Sequence, residues 1–485
     1  MRETVLSPVA PQGFPGQTNL IDFGFDGFPD PYHAAPGLEL LKSATFFIDA
    51  ANAKDGDAYA FNQGTGGFAL NARYGSSLAI GASDTNDPLL LPWTGENYVY
   101  LPGVAGNYAS TPQTAAYNIT SDLELVCRVS VSDWASGTNQ VLISRVGTSG
   151  QYTYEFVNLN GAFGLFLSTD GTTFSNTYST AHGLVNGQTY WVKVVRVTSS
   201  GVITWYKADD QATEPVSWTT IFSSGAVSAG SLPFASTEPL YIGGRTSAQP
   251  LAGRMYRAII RNGIGGTTVF DANFTTGITS GSQTTFTESS SNAATVTINR
   301  ATAGRKSVAV TRPTWLFGTD DYMEVADNAL LNMDATQSFT VVAVVRQWAT
   351  AVANGRYLAK GASAAANAYA LLGNATSATL RIDDMAAATA SGVSSTATAG
   401  TLRVYSGVRD KTTRTVTTYA NTVAGTAGVD ATVEQFTNAF PMRIGADGGA
   451  SPASYQDFEL LAVAVFRRSL TATEIAAINT YYGTA

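Results

Sequence analysis

An internal duplication constrains the fold of this 485-residue chain more than any other feature of its sequence. Residues 47–50 (FIDA) are echoed by residues 269–272 (VFDA), and the two aspartates are 222 positions apart (271 − 49). Residues 93–101 (WTGENYVYL) are matched by residues 315–325 (WLFGTDDYMEV), whose tryptophan is again 222 positions further on (315 − 93). A period of this length indicates two copies of one domain-sized module.

Two later markers extend the duplication towards the end of the chain. Residues 123–129 (LELVCRV) are matched by residues 339–345 (FTVVAVV), and residues 241–245 (YIGGR) by residues 443–447 (RIGAD). The second of these pairs is 202 positions apart (443 − 241), which is shorter than the main period. We infer that the second copy has lost about twenty residues of loop, the part of a domain that tolerates deletion best.

These spacings predict an N-terminal arm over residues 1–42, a first module over residues 43–264 and a second module over residues 265–485. The arm holds six of the 17 prolines, together with aromatic residues that follow no period. Proline limits the entropy lost when an extended segment docks, and exposed rings need a surface to cover. Two interpretations stay open: the arm docks on a neighbouring subunit through rings such as Phe14 and Phe25, or it is a strap on its own first module.

Within each module the pattern predicts antiparallel strands. Charged residues make up 13% of the chain, against roughly 25% in typical soluble domains. Residues 190–197 alternate as a strand does, and residues 201–206 follow after a Ser-Ser-Gly turn, which predicts a hairpin. One helix is predicted, at the C-terminus, where Thr471 and Glu474 have the spacing of a capping box. The predicted fold class is therefore all-β, with two tandem β-sandwich jelly rolls after an extended Pro-rich arm.

Charge, cysteine and histidine content exclude several classes of function. The formal net charge of −8 argues against non-specific nucleic-acid binding. A single cysteine, Cys127, allows neither an intrachain disulfide nor a thiolate zinc cage, and His33 and His182 are too few for a histidine-built metal site. We expect no cofactor, no membrane insertion and no secretory signal. An extracellular type of composition without such a signal is typical of a virion protein made in the host cytoplasm and released by lysis.

Several segments together resemble the laminin G-like, concanavalin A-like jelly-roll superfamily. They are the Gly-Thr-Asp-Asp-Tyr opening at residues 318–322, the Ile-Gly strand at residues 444–445, the long strand in residues 455–466 and the closing helix in residues 470–482. The resemblance covers residues 43–485, although the first module lacks the closing helix. It implies the fold of both modules and says little about a ligand, because this architecture hosts unrelated activities.

A narrower resemblance points to tailed-bacteriophage minor tail proteins. Residues 287–300 and residues 315–348 are similar to segments of those proteins. This implies a non-enzymatic virion protein of the tail or tail tip, whose modules face outward for host adhesion. Two alternatives stay open: a capsid or tail decoration protein that acts only in assembly, and a dedicated lectin-like adhesin. The implied partners are other tail or capsid proteins, further copies of this chain and host cell-wall glycan.

Catalysis is not expected, and no metal is assigned. Retaining glycosidases need two carboxylates about 5–5.5 Å apart, and the strand around Glu155 carries only one acid. Four acidic residues suggest calcium, which takes several loop oxygens as ligands. The alternative is that the adjacent aspartates among them cap a turn. The four residues are Asp320, Asp321, Asp327 and Asp334.

Two aromatic residues are the candidate glycan-binding positions. Sugars present apolar faces to aromatic rings and hydroxyl edges to polar loops. Trp218 is the first candidate, because Pro215, Ser217 and Thr219 surround it with the sequence of a loop, and Tyr152 is the second. For each ring the alternative is burial in the core.

Overall fold

The computed structural model describes residues 36–54, 59–74, 88–93, 95–147, 150–302, 304–348, 354–361, 368–374, 376–384, 389–396, 398–433, 438–449 and 452–484. Antiparallel strands dominate this part of the chain, so the predicted all-β class is confirmed. None of the described helices has the length and hydrophobicity needed to cross a bilayer. The α-helices are α1 (Pro36–Lys42), α2 (Phe274–Gly277) and α3 (Ala472–Tyr482).

The strands fall into four consecutive blocks, two short and two long. The first short block contains β1 (Phe46–Asp49), β2 (Tyr59–Ala60), β3 (Ala72–Tyr74) and β4 (Leu89–Leu91). The first long block contains β5 (Tyr98–Pro102), β6 (Tyr108–Thr111), β7 (Leu123–Val131), β8 (Gln140–Ser144), β9 (Tyr154–Leu159), β10 (Ala162–Leu167), β11 (Ser175–Ala181), β12 (Thr189–Arg196), β13 (Val202–Asp209), β14 (Thr219–Ala226), β15 (Leu240–Ile242) and β16 (Ala252–Asn262).

The remaining two blocks repeat this succession. The second short block contains β17 (Thr267–Asn273), β18 (Thr285–Thr287), β19 (Thr295–Asn299) and β20 (Val308–Val310). The second long block contains β21 (Thr314–Phe317), β22 (Met323–Val325), β23 (Phe339–Gln347), β24 (Gly355–Lys360), β25 (Ala368–Gly373), β26 (Ala378–Asp383), β27 (Thr389–Val393), β28 (Leu402–Asp410), β29 (Thr415–Ala420), β30 (Val423–Ala424), β31 (Gly428–Val429), β32 (Met442–Ile444) and β33 (Phe458–Phe466).

The first long block and the second short block together form one sandwich, which we call the central sandwich. Its sheet I has the order β14-β13-β12-β7-β16-β5-β20, with β17 also paired to β16. Its sheet II has the order β11-β10-β9-β8-β15-β6-β19-β18. Alternate residues of β7, namely Leu125, Cys127 and Val129, point into the core between the sheets, as the period of two requires.

The first short block and the second long block form the other sandwich, which we call the split sandwich. Its sheet III has the order β30-β29-β28-β23-β33-β21-β4, with β1 paired to β33 and β31 to β29. Its sheet IV has the order β2-β3-β22-β32-β24-β25-β26-β27. Strand for strand, this order repeats that of the central sandwich, with β7 matching β23, β16 matching β33 and β17 matching β1. The duplication is therefore a duplication of one topology.

The folded units differ from the predicted modules 43–264 and 265–485, because each short block completes the sandwich of the other repeat. β1 lies beside β33, with Phe46 opposite Val465, whereas β17 lies beside β16. In each sandwich one edge of a long strand is paired with two short strands, one after the other. These are β5 and β17 along β16, and β21 and β1 along β33. A sequence repeat identifies equivalent segments, but it carries no information on which copy each segment pairs with.

Two connections that lie side by side join the sandwiches, one from β4 to β5 and the other from β20 to β21, and we call them the neck. The chain leaves the split sandwich after β4 and returns at β21, and these strands are paired, with Leu91 opposite Thr314. In the central sandwich β5 and β20 are paired in the same way, with Tyr98 opposite Val310. An apolar cluster with residues from both sandwiches packs around the neck. Its buried members are Leu91, Tyr98, Tyr100, Tyr256, Val308, Val310, Leu316 and Trp348.

The outer face of sheet III is covered by α1 and α3, which pack against each other. Leu41 of α1 and Ile475 and Ile478 of α3 are buried in one cluster with Val342 and Val344 of β23. These residues are apolar at positions where an exposed sheet face would be polar. The first and last described elements of the chain are therefore held together on the split sandwich.

Local predictions were more accurate than the domain boundaries. The hairpin is confirmed as β12 and β13, and the capping box of Thr471 and Glu474 is fully formed at the start of α3. The match of Trp93 with Trp315 is wrong. Trp315 is fully buried inside β21, whereas Trp93 precedes β5 and is 37% exposed. By strand order β21 of the split sandwich is equivalent to β5 of the central sandwich. The two tryptophans therefore occupy different places in the two sandwiches.

Candidate functional site

Trp218 lies half-buried against the outer face of sheet I. Its ring packs beside a small buried cluster of Val126, Trp191 and Ile259. Lys193 Nζ lies 4.2 Å from the ring centroid, a cation–π contact. The ammonium group occupies a position where a sugar face would stack, so the use of Trp218 as a glycan platform stays a prediction that requires Lys193 to move.

Tyr152 is also half-buried, on the other sheet of the central sandwich. Its ring is stacked on Phe174, with centroids 4.7 Å apart and planes at 1°. Phe174 in turn packs against an apolar patch of sheet II that consists of Val141, Val157 and Phe166. Because Tyr152 packs on sheet II through Phe174 and Trp218 packs on sheet I, the structure does not bring the two predicted glycan residues into one site.

The predicted docking residues Phe14 and Phe25 lie outside the described residues, so their role stays a prediction. The end of the predicted arm is different. Residues 36–42 form α1 and dock on the split sandwich of the same chain, through side chains that include Leu41. This segment is therefore helical and not extended, and it shares one buried cluster with Phe47 of the first predicted module and with β23 and α3 of the second.

Glu155 is a buried, paired carboxylate. Its side chain is fully buried, Arg245 Nε lies 3.0 Å from Oε1, and the Ser144 hydroxyl donates to the same oxygen at 2.8 Å. Burial raises the pKa of Glu155, while Arg245 opposes that shift. A group enclosed in this way has a structural role in sheet II.

The acidic residues considered for calcium are bonded within the protein. Asp321 accepts the Gly318 N–H at 2.6 Å and Arg305 Nη2 at 2.9 Å, and Asp327 accepts Lys360 Nζ at 2.8 Å. Burial raises the pKa of Asp321 to about 6. Asp321 thus acts as the predicted turn cap. Nowhere in the described part of the chain do three or more His, Cys, Asp or Glu side chains group as metal ligands would.

The site that the structure does assemble is a cavity of about 460 Å³ beside the neck, which we call the neck cavity. The central sandwich contributes residues 279–282, which follow α2, and the end of β20. The split sandwich contributes residues 482–484 at the end of α3, together with β23, β28 and β33. The charged residues that line it are Arg312, Arg346, Arg403 and Glu459.

A buried ion pair lies in the lining of this cavity. Arg346 of β23 is opposite Glu459 of β33, and its Nη1 donates to Glu459 Oε2. The two side chains are 6% and 1% exposed, and burial raises the pKa of Glu459. Among the described residues Arg346 Nε and Glu459 Oε1 have no hydrogen-bond partner. Both atoms are fully buried, so a molecule in the cavity does not reach them, and burying the pair with these groups unsatisfied is costly.

Two more guanidinium groups line the cavity. Arg403 of β28 is half-buried, and its Nε also lacks a hydrogen-bond partner within the described part of the chain. Arg312, in the neck, is exposed and donates through Nη1 to the Tyr482 carbonyl at 3.4 Å. With three guanidinium groups and Glu459 as the carboxylate among the lining residues, the neck cavity carries an excess of positive charge.

Gly281 allows the central sandwich to approach this ion pair. A Cβ at this position would lie 2.2 Å from Arg346 Nη2, which is closer than real contacts allow. The loop of residues 279–282 therefore lies against the guanidinium group at a position where a side chain on residue 281 would displace it. This contact joins the two sandwiches at the cavity.

Sequence reasoning missed Arg346 and Glu459, although a signal was present. Each is a charge in a nine-residue strand that is buried along its whole length, FTVVAVVRQ for β23 and FELLAVAVF for β33. A charge in such a strand needs a partner. The pairing of these two residues depends on the register of β23 with β33, which the sequence does not reveal.

Comparison with known families agrees with the architecture. The family model described as the concanavalin A-like lectin/glucanases superfamily, in its laminin G form, matches residues 317–476, which span the second long block and the start of α3. The chain therefore contains a laminin G-like, concanavalin A-like jelly-roll domain. No curated protein sequence matches the chain.

Solved structures give low similarity scores. The binding domain of Paraclostridial mosquitocidal protein 1 is 12% identical with a TM-score of 0.28, and the match covers 36% of this chain and 44% of that one. Domains LG4-5 of the mouse laminin alpha1 chain are 12% identical with a TM-score of 0.28, over 80% of this chain and 96% of that one. The CBM40 module of a Ruminococcus gnavus sialidase, bound to α2,3-sialyllactose, is 15% identical with a TM-score of 0.26, over 30% and 83%.

Proposed function

We propose that this protein is a non-enzymatic carbohydrate-binding protein of a virion surface, with the neck cavity as its glycan site. The observation that carries the proposal is the lining of this cavity, where three guanidinium groups and one carboxylate lie among hydroxyl side chains. Such a lining offers both donors and acceptors of hydrogen bonds. A ligand with several hydroxyl groups can bond to both, and the laminin G-like jelly roll is an architecture suited to binding.

In its finer form, the proposal places the protein at the phage tail or tail tip, with both sandwiches facing outward for adhesion to the host. The resemblance of residues 287–300 and 315–348 to minor tail proteins supports this assignment. The partners would be other virion proteins and further copies of the chain, with the arm as the docking segment.

The absence of catalysis is part of the proposal. Hydrolysis by the retaining route needs a nucleophile and an acid about 5–5.5 Å apart. Among the lining residues of the cavity Glu459 is the only carboxylate, and it is held by Arg346. Glu155 is enclosed in sheet II, away from solvent.

The test is binding of the purified full-length chain to isolated host cell envelopes. We expect saturable binding that soluble glycan released from the same envelopes competes away, with no release of reducing sugar. Absence of binding to both envelopes and released glycan would overturn the proposal. Gold-labelled antibodies on intact particles test the location, with tail labelling expected. Labelled capsids together with absent glycan binding would instead favour the decoration role.

A further inference from the structure

We infer that the side chains of Lys360 and Asn438 join in an isopeptide bond, an amide formed within the chain, with Asp327 as the group that carries the protons. The inference rests on the contacts of one buried lysine on sheet IV. It goes beyond the proposed glycan binding, because none of these three residues lines the neck cavity. It assigns a covalent modification to the split sandwich.

The contacts of Lys360 bring an amine, a carboxamide and a carboxylate together. Lys360 is the last residue of β24, and its side chain is fully buried. Its Nζ lies 2.9 Å from Asn438 Oδ1 and 2.8 Å from Asp327 Oδ1. Nζ also donates to the backbone carbonyls of Asn438 and Phe440. An ammonium group has three hydrogens, so it cannot make a full hydrogen bond to each of these four oxygens.

The equivalent place in the central sandwich shows what a purely structural cation needs. By strand order β8 is equivalent to β24 and β15 to β32. Arg145 follows β8, is fully buried and donates to the carbonyls of Ser236 and Glu238. Those two residues precede β15 by the same spacing at which Asn438 and Phe440 precede β32. A guanidinium group therefore holds this segment, with a serine at the place of Asn438.

The reaction is an acyl transfer from the amide nitrogen of Asn438 to Nζ of Lys360. Burial lowers the pKa of Lys360, which favours the neutral amine, and Asp327 accepts the proton. A bond forms between Nζ and Cγ of Asn438, and the negative charge moves to Oδ1. Asp327 then gives a proton to Nδ2 and takes the second proton from Nζ. The bond between Cγ and Nδ2 breaks, and ammonia leaves with the surplus proton as ammonium.

The surroundings favour this step. The N–H of Phe440 donates to Asn438 Oδ1 at 3.0 Å, so it faces the oxygen that becomes negative. Asp327 is 37% exposed, which gives the ammonium ion a route to solvent. Holding the amine against the carboxamide replaces a bimolecular encounter by an effectively unimolecular step. The chain itself supplies the amine, the acyl group and the base, so the reaction needs no co-reactant.

The bond joins the end of β24 to the segment that precedes β32. These strands are neighbours in sheet IV, with Lys360 opposite Met442. The two linked residues are 78 positions apart in the sequence. A cross-link over a loop of this length restricts the unfolded chain and so stabilises the folded state. The modification therefore predicts a split sandwich that resists heat more than its non-covalent contacts alone allow.

The first experiment measures the intact mass of the full-length protein. We expect this mass to be lower than the sequence mass by one ammonia. Trypsin cleaves after arginine and unmodified lysine, so the digest should contain residues 357–381 joined to residues 415–443 in one branched peptide. Fragmentation of this peptide should place the link between Lys360 and Asn438.

Three variants test the roles of the residues. Lys360→Arg keeps a buried cation, as Arg145 does in the central sandwich, but a guanidinium group does not attack an amide, and Asp327→Asn removes the base. Both variants should have the full sequence mass and melt about 10 °C lower than the unmodified protein. The matched control is Lys411→Arg, at a lysine of the same sandwich that is paired with Asp430. It should keep the branched peptide, and circular dichroism checks that all variants are folded.

Each contrary outcome overturns a distinct part of the inference. Full sequence mass in the unmodified protein means that the bond does not form. Loss of ammonia without the branched peptide assigns the loss to another asparagine, and loss of one water with Lys360 linked to Asp327 makes Asp327 the acyl donor. A branched peptide that persists in Asp327→Asn overturns the role of this carboxylate. Binding to host envelopes is measured separately, so none of these results decides the proposed function.

Discussion

The outer faces of sheets I and III are built on the same strand order but are covered in different ways. On β23 the outward residues Val342 and Val344 are apolar and lie under α1 and α3. On β7 the outward residues include Glu124 and Arg128, and no described α-helix is packed against them. The comparison shows that one jelly-roll topology accepts either an apolar face closed by helices or a polar face closed by ion pairs.

The polar face of sheet I is stabilised by paired charges. Arg128 lies 2.6 Å from both Glu96 and Asp210, and Arg261 bonds to Glu124 and Glu214. The side chains of Glu96 and Asp210 are 33% and 40% exposed to solvent. The free-energy cost of desolvating their carboxylates is therefore moderate. We therefore expect the two outer faces to respond differently to substitution.

The largest effect should come from separating the sandwiches. Leu91 and Thr314 are opposite each other in the paired strands β4 and β21, so a two-residue turn can connect them as in a hairpin. The shortened chain has Asn-Gly in place of residues 92–313. We expect this shortened chain and the isolated fragment 95–311 each to unfold cooperatively as monomers, because each contains every described strand of one sandwich. Calorimetry with analytical ultracentrifugation measures this.

The matched controls are the repeats defined by sequence, 43–264 and 265–485. Each carries a short block whose partner strands are missing, so we expect lower stability or association through exchanged blocks. A monomeric fragment 265–485 as stable as the shortened chain would show that the short blocks are interchangeable.

A smaller loss of stability should come from giving each outer face one residue of the type found on the other face. Val344→Arg places a charge under α3 without a partner, and we expect a loss of about 3–5 kcal/mol of unfolding free energy. The reverse change, Arg128→Val, should cost only about 1–3 kcal/mol, because Glu96 and Asp210 remain hydrated. Urea denaturation compares the two variants.

If Val344→Arg were tolerated as well as Arg128→Val, helix docking would contribute little to sheet III. The two outer faces would then be equivalent in energy despite their different coverings.

The smallest effect depends on pH and is confined to the central sandwich. His182 is buried, bonds to Asn158 Oδ1 at 3.0 Å and lies against the Trp134 ring. Burial, assisted by the charge of Lys207, lowers its pKa to about 4. The unfolded chain takes up this proton at higher pH, so the neutral histidine contributes stability above pH ~6.5 that is lost as the pH falls towards 4. The loss should be at most about 3 kcal/mol.

Denaturation of fragment 95–311 between pH 7 and pH 4 measures this loss, with His182→Asn as the control. The variant should show a smaller decrease over this range. An equal decrease in both proteins would assign the pH dependence to carboxylates instead.

The fold class could be predicted because period-two alternation and turn residues are local properties of the sequence. The capping box at Thr471 and the hairpin of β12 and β13 were correct for the same reason. The exchange of short blocks could not be predicted, because β1 and β17 have similar sequences and either long block offers them an equivalent edge. Pairing of this kind is decided by side-chain packing in two cores.

The neck cavity could not be predicted for a related reason. The use of Trp218 and Tyr152 as glycan platforms rests on local context and stays a prediction, and neither residue lines this cavity. Arg346 and Gly281 become neighbours only when the two sandwiches meet at the neck. A site made at a junction of long-range contacts leaves no single motif in the sequence.

The side-by-side arrangement of β4 and β21 has a mechanical consequence. Tension applied between the two ends of the described chain is borne first by α1, β1, β33 and α3, which are mutual neighbours in the split sandwich. The central sandwich lies outside this load path until β4 separates from β21. Because Tyr482 and Thr484 at the end of α3 also line the neck cavity, a pull strong enough to peel α3 away would open this cavity to solvent.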